Sequence, residues 1–156
     1  MIRAVLFDHD TIFSSSGQLN SGADAFIRAC RIRFPLLLLS AGTWVDADHA
    51  LRACDLRSLF LDILTQSEVE HARPAPDLLA AALGRIGFLL RDRNPVEPRE
   101  CLVVESTADG VEAARRAGMR SLAIAPAGQG EWPNADFVRP SFDAVDLDQV
   151  LRHCAA

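Results

Sequence analysis

Two aspartates, Asp8 and Asp10, directly follow an apolar run at residues 4–7. The run predicts a β-strand, and ligands bind beyond the carboxyl ends of strands in open α/β sheets. If the strand continued, both carboxylates would share one face, whereas a turn would splay them apart. Carboxylates this close repel each other unless a cation or a shared proton relieves the repulsion. The pair therefore indicates a catalytic or metal-binding site, with solvated acids at a strand end as the alternative.

Other polar residues stand where further apolar runs end or where prolines mark a turn. Ser40 follows one run, Glu105 and Ser106 follow another, and Arg73 precedes a proline turn. Each has a structural interpretation as well, because Ser40 could satisfy a turn and Arg73 could be solvated. For Glu105 and Ser106 we favour the start of a capped helix, with the acid near its positive end.

The elements that must position these residues follow an alternating pattern. Short apolar, partly β-branched runs alternate with segments of helical period, which predicts a Rossmann-like, doubly wound parallel sheet with helices on both faces. About five strands are predicted, at residues 4–7, 36–39, 60–64, 101–104 and 121–125. Two predicted helices begin at caps, Ser21 and Thr43. A third runs from Pro76 to Gly87, a fourth spans residues 110–117, and a fifth closes the chain. Residues 12–20 and 91–99 are expected to be irregular.

Four segments in order resemble the haloacid dehalogenase superfamily of phosphatases. The first is Phe7-Asp8-His9-Asp10, which is similar to the Asp-x-Asp signature at the end of the first strand. The others are Leu36-Leu37-Leu38-Leu39-Ser40, Ala72-Arg73-Pro74-Ala75-Pro76-Asp77, and Cys101-Leu102-Val103-Val104-Glu105-Ser106-Thr107-Ala108-Asp109-Gly110-Val111. Each motif alone is weak, but the ordered set covers almost the whole chain and implies the core fold of this superfamily.

The resemblance implies phosphoryl transfer through an aspartyl-phosphate. Asp8 would be the nucleophile, and Asp10 would protonate the leaving group and then activate water. Ser40 would donate a hydrogen bond to a phosphoryl oxygen, and Arg73 would replace the lysine that neutralises the nucleophile and the phosphate. Positioning and positive charge supply most of the catalysis in such reactions.

A magnesium ion is the implied cofactor. By resemblance it would be bridged by Asp8, the backbone carbonyl of Asp10, the phosphate and the fourth motif, at Glu105 and Ser106. Ser106 stands where the family normally has a metal-binding aspartate, so we expect weakened magnesium binding. Thr11 stands where the family usually has glycine, which places a β-branched residue in a turn that tolerates unusual backbone angles.

The cap that usually follows the first motif is missing. Asp8 and Ser40 lie only 32 positions apart (40 − 8), which leaves room for one helix and a loop. Without a lid the site would be open, because closure normally sequesters the reaction and selects small substrates. Either the phosphorylated substrate is large, or a second subunit of a homo-oligomer covers the site, or no turnover occurs. The resulting hypotheses are a magnesium-dependent phosphatase and a non-catalytic relative that serves as a binding or assembly module.

Composition excludes several other classes. A chain of 156 residues, about half of them apolar, suits one core domain over residues 1–156. The net charge of −5 disfavours a nucleic-acid partner, and no apolar run is long enough for a membrane span. Without a signal-peptide pattern, we expect a cytoplasmic protein. The four scattered cysteines do not indicate a zinc site, and all 16 basic residues are arginine.

Overall fold

The computed structural model describes residues 1–91 and 94–156, and its centre is a parallel sheet with the strand order β3-β2-β1-β4-β5-β6. The predicted α/β, doubly wound fold is confirmed, with six strands where about five were predicted. The additional strand is the three-residue β6, too short for a visible pattern. The strands are β1 Ala4–Asp8, β2 Leu36–Ser40, β3 Asp62–Thr65, β4 Cys101–Glu105, β5 Arg120–Ile124 and β6 Phe137–Arg139.

Six α-helices accompany the strands in the described part of the chain. They are α1 His9–Ile12, α2 Ala23–Arg33, α3 Trp44–Ala53, α4 Asp77–Leu90, α5 Ala108–Arg116 and α6 Leu147–Ala155. The single turn α1 directly follows β1 and was not predicted. Across residues 1–91 and 94–156, no helix has the length and apolar character that crossing a bilayer requires.

Alternate side chains of the central strand pack on opposite faces of the sheet. Val5 and Phe7 of β1 belong to the apolar cluster that includes residues of α2, α3 and α6. Ala4 and Leu6 belong to the second cluster, which includes residues of α4 and α5. Because a parallel sheet is covered on both faces, its strands read as continuous apolar runs. The same packing fixes the position at which β1 ends, and therefore the position of Asp8.

Two predicted helix starts have different outcomes. Thr43 caps α3 as predicted, since its hydroxyl accepts a hydrogen bond from Asp46 N at 3.1 Å. The prediction for Ser21 is wrong, because Gly22 precedes α2 with a left-handed φ of 78°. The Ser21 hydroxyl instead donates to Asp143 Oδ2 at 2.5 Å. A Cβ at Gly22 would lie 2.6 Å from Asp143, so the close approach of these two segments requires glycine there.

The predicted end of the third helix is also wrong. Helix α4 continues through Gly87 to Leu90, and the left-handed residue that follows it is Arg91 with φ 48°. A glycine inside a helix costs only about 1 kcal/mol, which neighbouring packing can offset. Helix α5 begins at Ala108, two residues earlier than predicted. Within the predicted irregular segment 91–99, residues 92 and 93 lie outside the described part of the chain.

Candidate active site

Three predicted site residues end strands that are neighbours in the sheet. Asp8 ends β1, Ser40 ends β2 and Glu105 ends β4. The parallel register pairs Phe7 with Val104, which places Asp8 beside Glu105. On the other side, Ser40 lies one residue beyond the β2 partner of Asp8. All three side chains are buried. The fold therefore gathers them at the carboxyl edge of the sheet, where ligands bind in open α/β folds.

Arg73 joins two of these acids, and we call Asp8, Arg73 and Glu105 the ion-paired cluster. Nη1 of Arg73 donates to Asp8 Oδ1 at 2.9 Å and also to Glu105 Oε1. The Arg73 side chain is 15% exposed, against 2% for Asp8 and 1% for Glu105. One guanidinium thus compensates two buried carboxylates. Removing it would leave charges that are costly to keep away from water.

Burial and charge shift the protonation equilibria of the ion-paired cluster. Burial raises the pKa of Asp8 above its usual value, although the charge and hydrogen bond of Arg73 act in the opposite direction. Burial and the negative charge of Asp8 raise the pKa of Glu105 to about 7, against the lowering effect of Arg73. Burial acts to lower the pKa of Arg73, but the two carboxylates outweigh it and raise that pKa. Arg73 therefore stays a cation at neutral pH.

The second oxygen of Glu105 is held by the beginning of α5. Oε2 accepts hydrogen bonds from Ser106 N at 3.0 Å, Thr107 N at 3.3 Å and the Thr107 hydroxyl at 3.2 Å. Thr107 also caps α5, since its hydroxyl accepts from Gly110 N at 3.0 Å. The positive end of the helix dipole favours an acid at this position. Glu105 therefore makes the contacts expected of an acid at the start of a capped helix, and the capping residue is Thr107 rather than Ser106.

Gly110 is a site residue to which the sequence reasoning gave no role. A Cβ at this position would lie 2.0 to 2.3 Å from the carboxylate atoms of Glu105, so only glycine leaves space for that side chain. The available signal was a glycine in the first turn of a helix, where it weakens helix formation. The close approach of the Glu105 carboxylate explains the glycine at position 110, and only the folded structure reveals it.

Thr11 and Ser106 form a second, uncharged contact, which we call the hydroxyl pair. Oγ1 of Thr11 donates to Ser106 Oγ at 3.0 Å and lies 3.5 Å from Asp8 Oδ2. Thr11 is buried within α1 and has helical backbone angles. Among the described residues, non-glycine φ values above zero occur at Asp55 and Arg91 alone, so the β-branched Thr11 stands in the turn without a left-handed backbone angle.

Asp8 and Asp10 are splayed apart because β1 ends and α1 begins between them. Asp8 becomes the helix cap, with Oδ2 accepting from Asp10 N at 3.2 Å. The Asp10 side chain is 76% exposed, and its Oδ1 lies 3.0 Å from Nδ1 of His9. The His9 ring in turn lies 4.9 Å from the Phe13 ring, centroid to centroid. Of the two open alternatives, the turn is the one observed, and Asp10 has ready access to solvent.

Ser40 has a local contact in the structure. Its Oγ accepts a hydrogen bond from Gly42 N at 3.0 Å in the turn that follows β2. This is the turn-stabilising role that sequence reasoning left as an alternative. A contact between the Ser40 hydroxyl and a phosphoryl oxygen stays a prediction.

A cleft of about 430 Å³ opens beside these residues and includes Asp10, Thr11 and Ser106 in its wall. Asp8 does not line the cleft itself, but its Oδ2 contacts the lining residue Thr11. The rest of the lining comes from the segment before α2, the end of β5 and the segments that follow β5 and β6, and it was not predicted. The remaining lining residues carry neutral polar or apolar side chains: Asn20, Ser21, Ile124, Pro126, Gln129, Pro140, Ser141 and Phe142.

The residues at this edge do not fit the implied magnesium site. Magnesium requires oxygen ligands at about 2.0–2.1 Å in near-octahedral geometry. The Glu105 carboxylate is engaged by Arg73 and by the start of α5, and Ser106 is neutral. Over residues 1–91 and 94–156, no three or more His, Cys, Asp or Glu side chains are grouped to hold a metal. Neither residue of the fourth motif therefore offers the free carboxylate that the implied magnesium site requires.

Comparison with known proteins agrees with this arrangement of strands. The sequence profile of the haloacid dehalogenase-like hydrolases matches residues 2–118, well over half of the chain. The chain belongs to this family. As a haloacid dehalogenase-like hydrolase it lacks the usual cap between the first two motifs, since only α1, a loop and α2 separate β1 from β2.

Curated relatives of this hydrolase include phosphatases. A "probable pseudouridine-5'-phosphatase" of Drosophila melanogaster is 34% identical over 119 residues, which cover 72% of this chain and 48% of that protein. A fructose-1-phosphate phosphatase of Escherichia coli is 29% identical over 92 residues, which cover 59% of this chain and 45% of that protein. The chain thus spans about half the length of these relatives.

Solved structures show the same fold at low identity. A HAD phosphatase from Thermococcus onnurineus superposes with a TM-score of 0.81 at 16% identity, covering 96% of this chain and 98% of that one. CbbY from Rhodobacter sphaeroides, in complex with phosphate, gives a TM-score of 0.73 at 18% identity, covering 91% and 95%. These similarities establish the architecture of the hydrolase, and its reaction must be argued from its own residues.

Proposed function

We propose that this hydrolase cleaves phosphate monoesters through Asp8. The observation that carries the proposal is a buried carboxylate at the carboxyl edge of the sheet, held by Arg73 at 2.9 Å and in contact with Thr11, which lines a cleft. Arg73 binds Oδ1, whereas Oδ2 has only the longer contacts with Asp10 N and the Thr11 hydroxyl. Oδ2 is therefore the oxygen that is free to attack.

The reaction would proceed in two displacements. Asp8 Oδ2 attacks phosphorus, the bond to the ester oxygen breaks, and Asp10 donates a proton to the leaving alkoxide. Water then attacks the aspartyl-phosphate, gives its proton to Asp10, and releases phosphate and free Asp8. The exposure of Asp10 beside the cleft suits this exchange. Arg73 and, after rotation, the Ser40 hydroxyl would stabilise negative charge on the phosphoryl oxygens.

The cleft favours a particular kind of ester. Its lining combines hydroxyl and amide side chains, such as Ser141, Asn20 and Gln129, with apolar surface, and within residues 1–91 and 94–156 none of its lining residues is basic. Such a wall suits a neutral, hydroxyl-bearing leaving group better than a second phosphate, which would need a cation. The names of the two phosphatase relatives are consistent with a phosphorylated sugar or nucleoside. An open cleft also leaves room for a larger phosphorylated partner, and action in the cytoplasm remains part of the proposal.

The test is hydrolysis of p-nitrophenyl phosphate by wild type, Asp8→Asn and Asp148→Asn. Loss of a nucleophile should lower kcat by at least about a thousandfold. Asp148 is exposed and pairs with Arg33, away from the cleft, so Asp148→Asn should retain wild-type turnover. Assays with added magnesium and with a chelator examine the implied cofactor separately. Equal turnover in Asp8→Asn and wild type would refute the proposed role of Asp8.

The hydroxyl pair favours a second candidate function, a non-catalytic binding module. Ser106, which stands where the resemblance places a metal-binding aspartate, makes an uncharged contact with Thr11, and no cap lies between β1 and β2 in the described part of the chain. This candidate predicts that wild type binds phosphate monoesters without hydrolysing them. Calorimetric titration with a sugar phosphate, in parallel with the turnover assay, separates the two functions.

A further inference from the structure

The hydroxyl of Thr11 bridges two of the oxygens that the resemblance assigns to magnesium. Oγ1 lies 3.0 Å from Ser106 Oγ and 3.5 Å from Asp8 Oδ2, and Thr11 is only 1% exposed. A magnesium ion bound to both oxygens would need to approach each within about 2.1 Å. The bridging hydroxyl is already in hydrogen-bonding range of both. Thr11 would therefore have to leave before an ion could enter.

The acid that could compensate for the neutral Ser106 is committed elsewhere. Both Glu105 oxygens are used, one by Arg73 and the other by three donors at the start of α5. The carboxylate also lies so close to Gly110 that a Cβ there would overlap it. Turning Glu105 toward an ion would forfeit these hydrogen bonds, several of which are charge-assisted and therefore strong.

The charge of the site opposes a divalent ion as well. Arg73 contacts Asp8 directly, in the place of the lysine that the resemblance implies, so an ion on Asp8 needs a further acid to offset a second nearby cation. Like charges in a buried, weakly screened site repel strongly. Ser106 offers no negative charge to offset this repulsion, and the Asp10 carboxylate faces His9 and solvent.

We propose that this site has lost its divalent cation and operates without one, with the hydroxyl pair filling the place of the ion and Arg73 supplying the positive charge. The inference rests on the proposed function for what the site does to a substrate. Its metal affinity can be measured without substrate, so failure of one does not entail failure of the other.

The primary test is titration of the full chain with Mn²⁺, followed by electron paramagnetic resonance, and with Mg²⁺, followed by calorimetry. Wild type should show no saturable binding at one ion per chain up to the millimolar range. Thr11→Gly combined with Ser106→Asp should gain one such site with at least about tenfold higher affinity, because it frees space and adds a carboxylate ligand. Adding Asp8→Asn to that double variant should remove the gain.

Two further variants control the design. Ser15→Asp adds the same charge in the exposed loop after α1 and should gain no one-to-one site. Ser106→Asp alone keeps Thr11 and should gain less than the double variant, which provides a second measurement if the double variant does not fold. One-to-one binding by wild type that Asp8→Asn abolishes would overturn the proposal. So would a folded double variant whose affinity equals that of wild type.

Turnover supplies an independent readout. If wild type hydrolyses p-nitrophenyl phosphate, the rate should be the same with magnesium and with a chelator. A rate that a chelator abolishes and magnesium restores would contradict a metal-free site while supporting a phosphatase. Absence of turnover together with absence of metal binding would contradict the proposed hydrolysis and leave the metal-free site supported.

Discussion

The ion-paired cluster and the hydroxyl pair lie on either side of the same carboxylate, yet they are built from different chemistry. On one side Asp8 meets a guanidinium that also binds Glu105. On the other it meets the hydroxyl of Thr11, which bonds to Ser106. The first side keeps charges that are expensive to bury and are tolerated only when paired. The second side consists of neutral hydroxyl groups, and substituting one neutral group for another there costs little free energy.

This difference separates the ion-paired cluster, which holds the nucleophile Asp8, from the hydroxyl pair, which stands where the resemblance puts a metal ion that would neutralise the substrate. The ion-paired cluster connects β1 to β4 and to the turn before α4, so the fold depends on it whether or not the site is catalytic. The hydroxyl pair connects α1 to the start of α5 by a single hydrogen bond of 3.0 Å. Changes on the second side can therefore accumulate with little loss of stability. Both of its residues, Thr11 and Ser106, depart from the family pattern, whereas on the first side Arg73 keeps the positive charge of the lysine that it replaces.

The largest expected effect is the loss of Arg73. Arg73→Met keeps much of the side-chain volume but leaves Asp8 and Glu105 as neighbouring buried acids. Breaking a buried ion pair by removing one partner typically costs about 3–5 kcal/mol. Urea denaturation followed by circular dichroism should show a loss of that size.

The matched control is Arg99→Met, which removes an arginine whose partner Glu97 lies at the surface. The two side chains are 78% and 55% exposed, and such pairs contribute little. Its midpoint should stay close to that of wild type. Comparable losses for the two variants would show that the ion-paired cluster does not carry the stability assigned to it.

Glycine substitutions test the ion-paired cluster through a smaller expected change in stability. Gly110→Ala places a Cβ against the Glu105 carboxylate, and overpacking of this kind typically costs about 1–3 kcal/mol. Gly84→Ala makes the same change in α4, where a Cβ would meet no atom within 4 Å. Because alanine is the better helix former, Gly84→Ala should stabilise the protein by up to about 1 kcal/mol. Thermal unfolding of both variants gives the comparison.

The essential result is that the two variants change stability in opposite directions, with Gly110→Ala destabilising and Gly84→Ala stabilising. A stabilising Gly110→Ala would mean that Glu105 is free to move away from α5. The carboxylate would then be available to other ligands, which contradicts the arrangement described for the ion-paired cluster.

The two sides of the site were not equally predictable. Apolar runs placed Asp8, Ser40 and Glu105 at strand ends, because strand period and parallel topology are local signals with a common outcome. Arg73 was linked to Asp8 by the ordered motifs of a family. The contact between Thr11 and Ser106 had no such signal. It joins residues 95 positions apart, and hydroxyl pairs leave no periodic pattern.

The errors in the fold have similar physical causes. Gly87 was expected to end a helix, but a single glycine is a weak signal and α4 continues past it to Leu90. Ser21 had the side chain of a cap, but its hydroxyl found Asp143, more than a hundred residues away. Strand β6 has three residues and no alternation to detect. A contact between distant segments replaced the local preference at Ser21, whereas at Gly87 and β6 the local signal was weak or absent.

The smallest expected effect concerns the hydroxyl pair itself. Thr11→Val and Ser106→Ala each remove one partner of a hydrogen bond, and a typical bond contributes about 0.5–1.5 kcal/mol. A double-mutant cycle on unfolding free energies should give a coupling within that range, since Thr11 is buried and its contact is partly shielded from water.

Ser14 and Ser16 provide the control cycle, because their hydroxyls lie 2.9 Å apart in an exposed position. Their coupling should be near zero, since water replaces an exposed hydrogen bond. A coupling for Thr11 and Ser106 as large as the effect of Arg73→Met would place the hydroxyl pair among the structural supports of the fold, and the contrast between the two sides of Asp8 would then disappear.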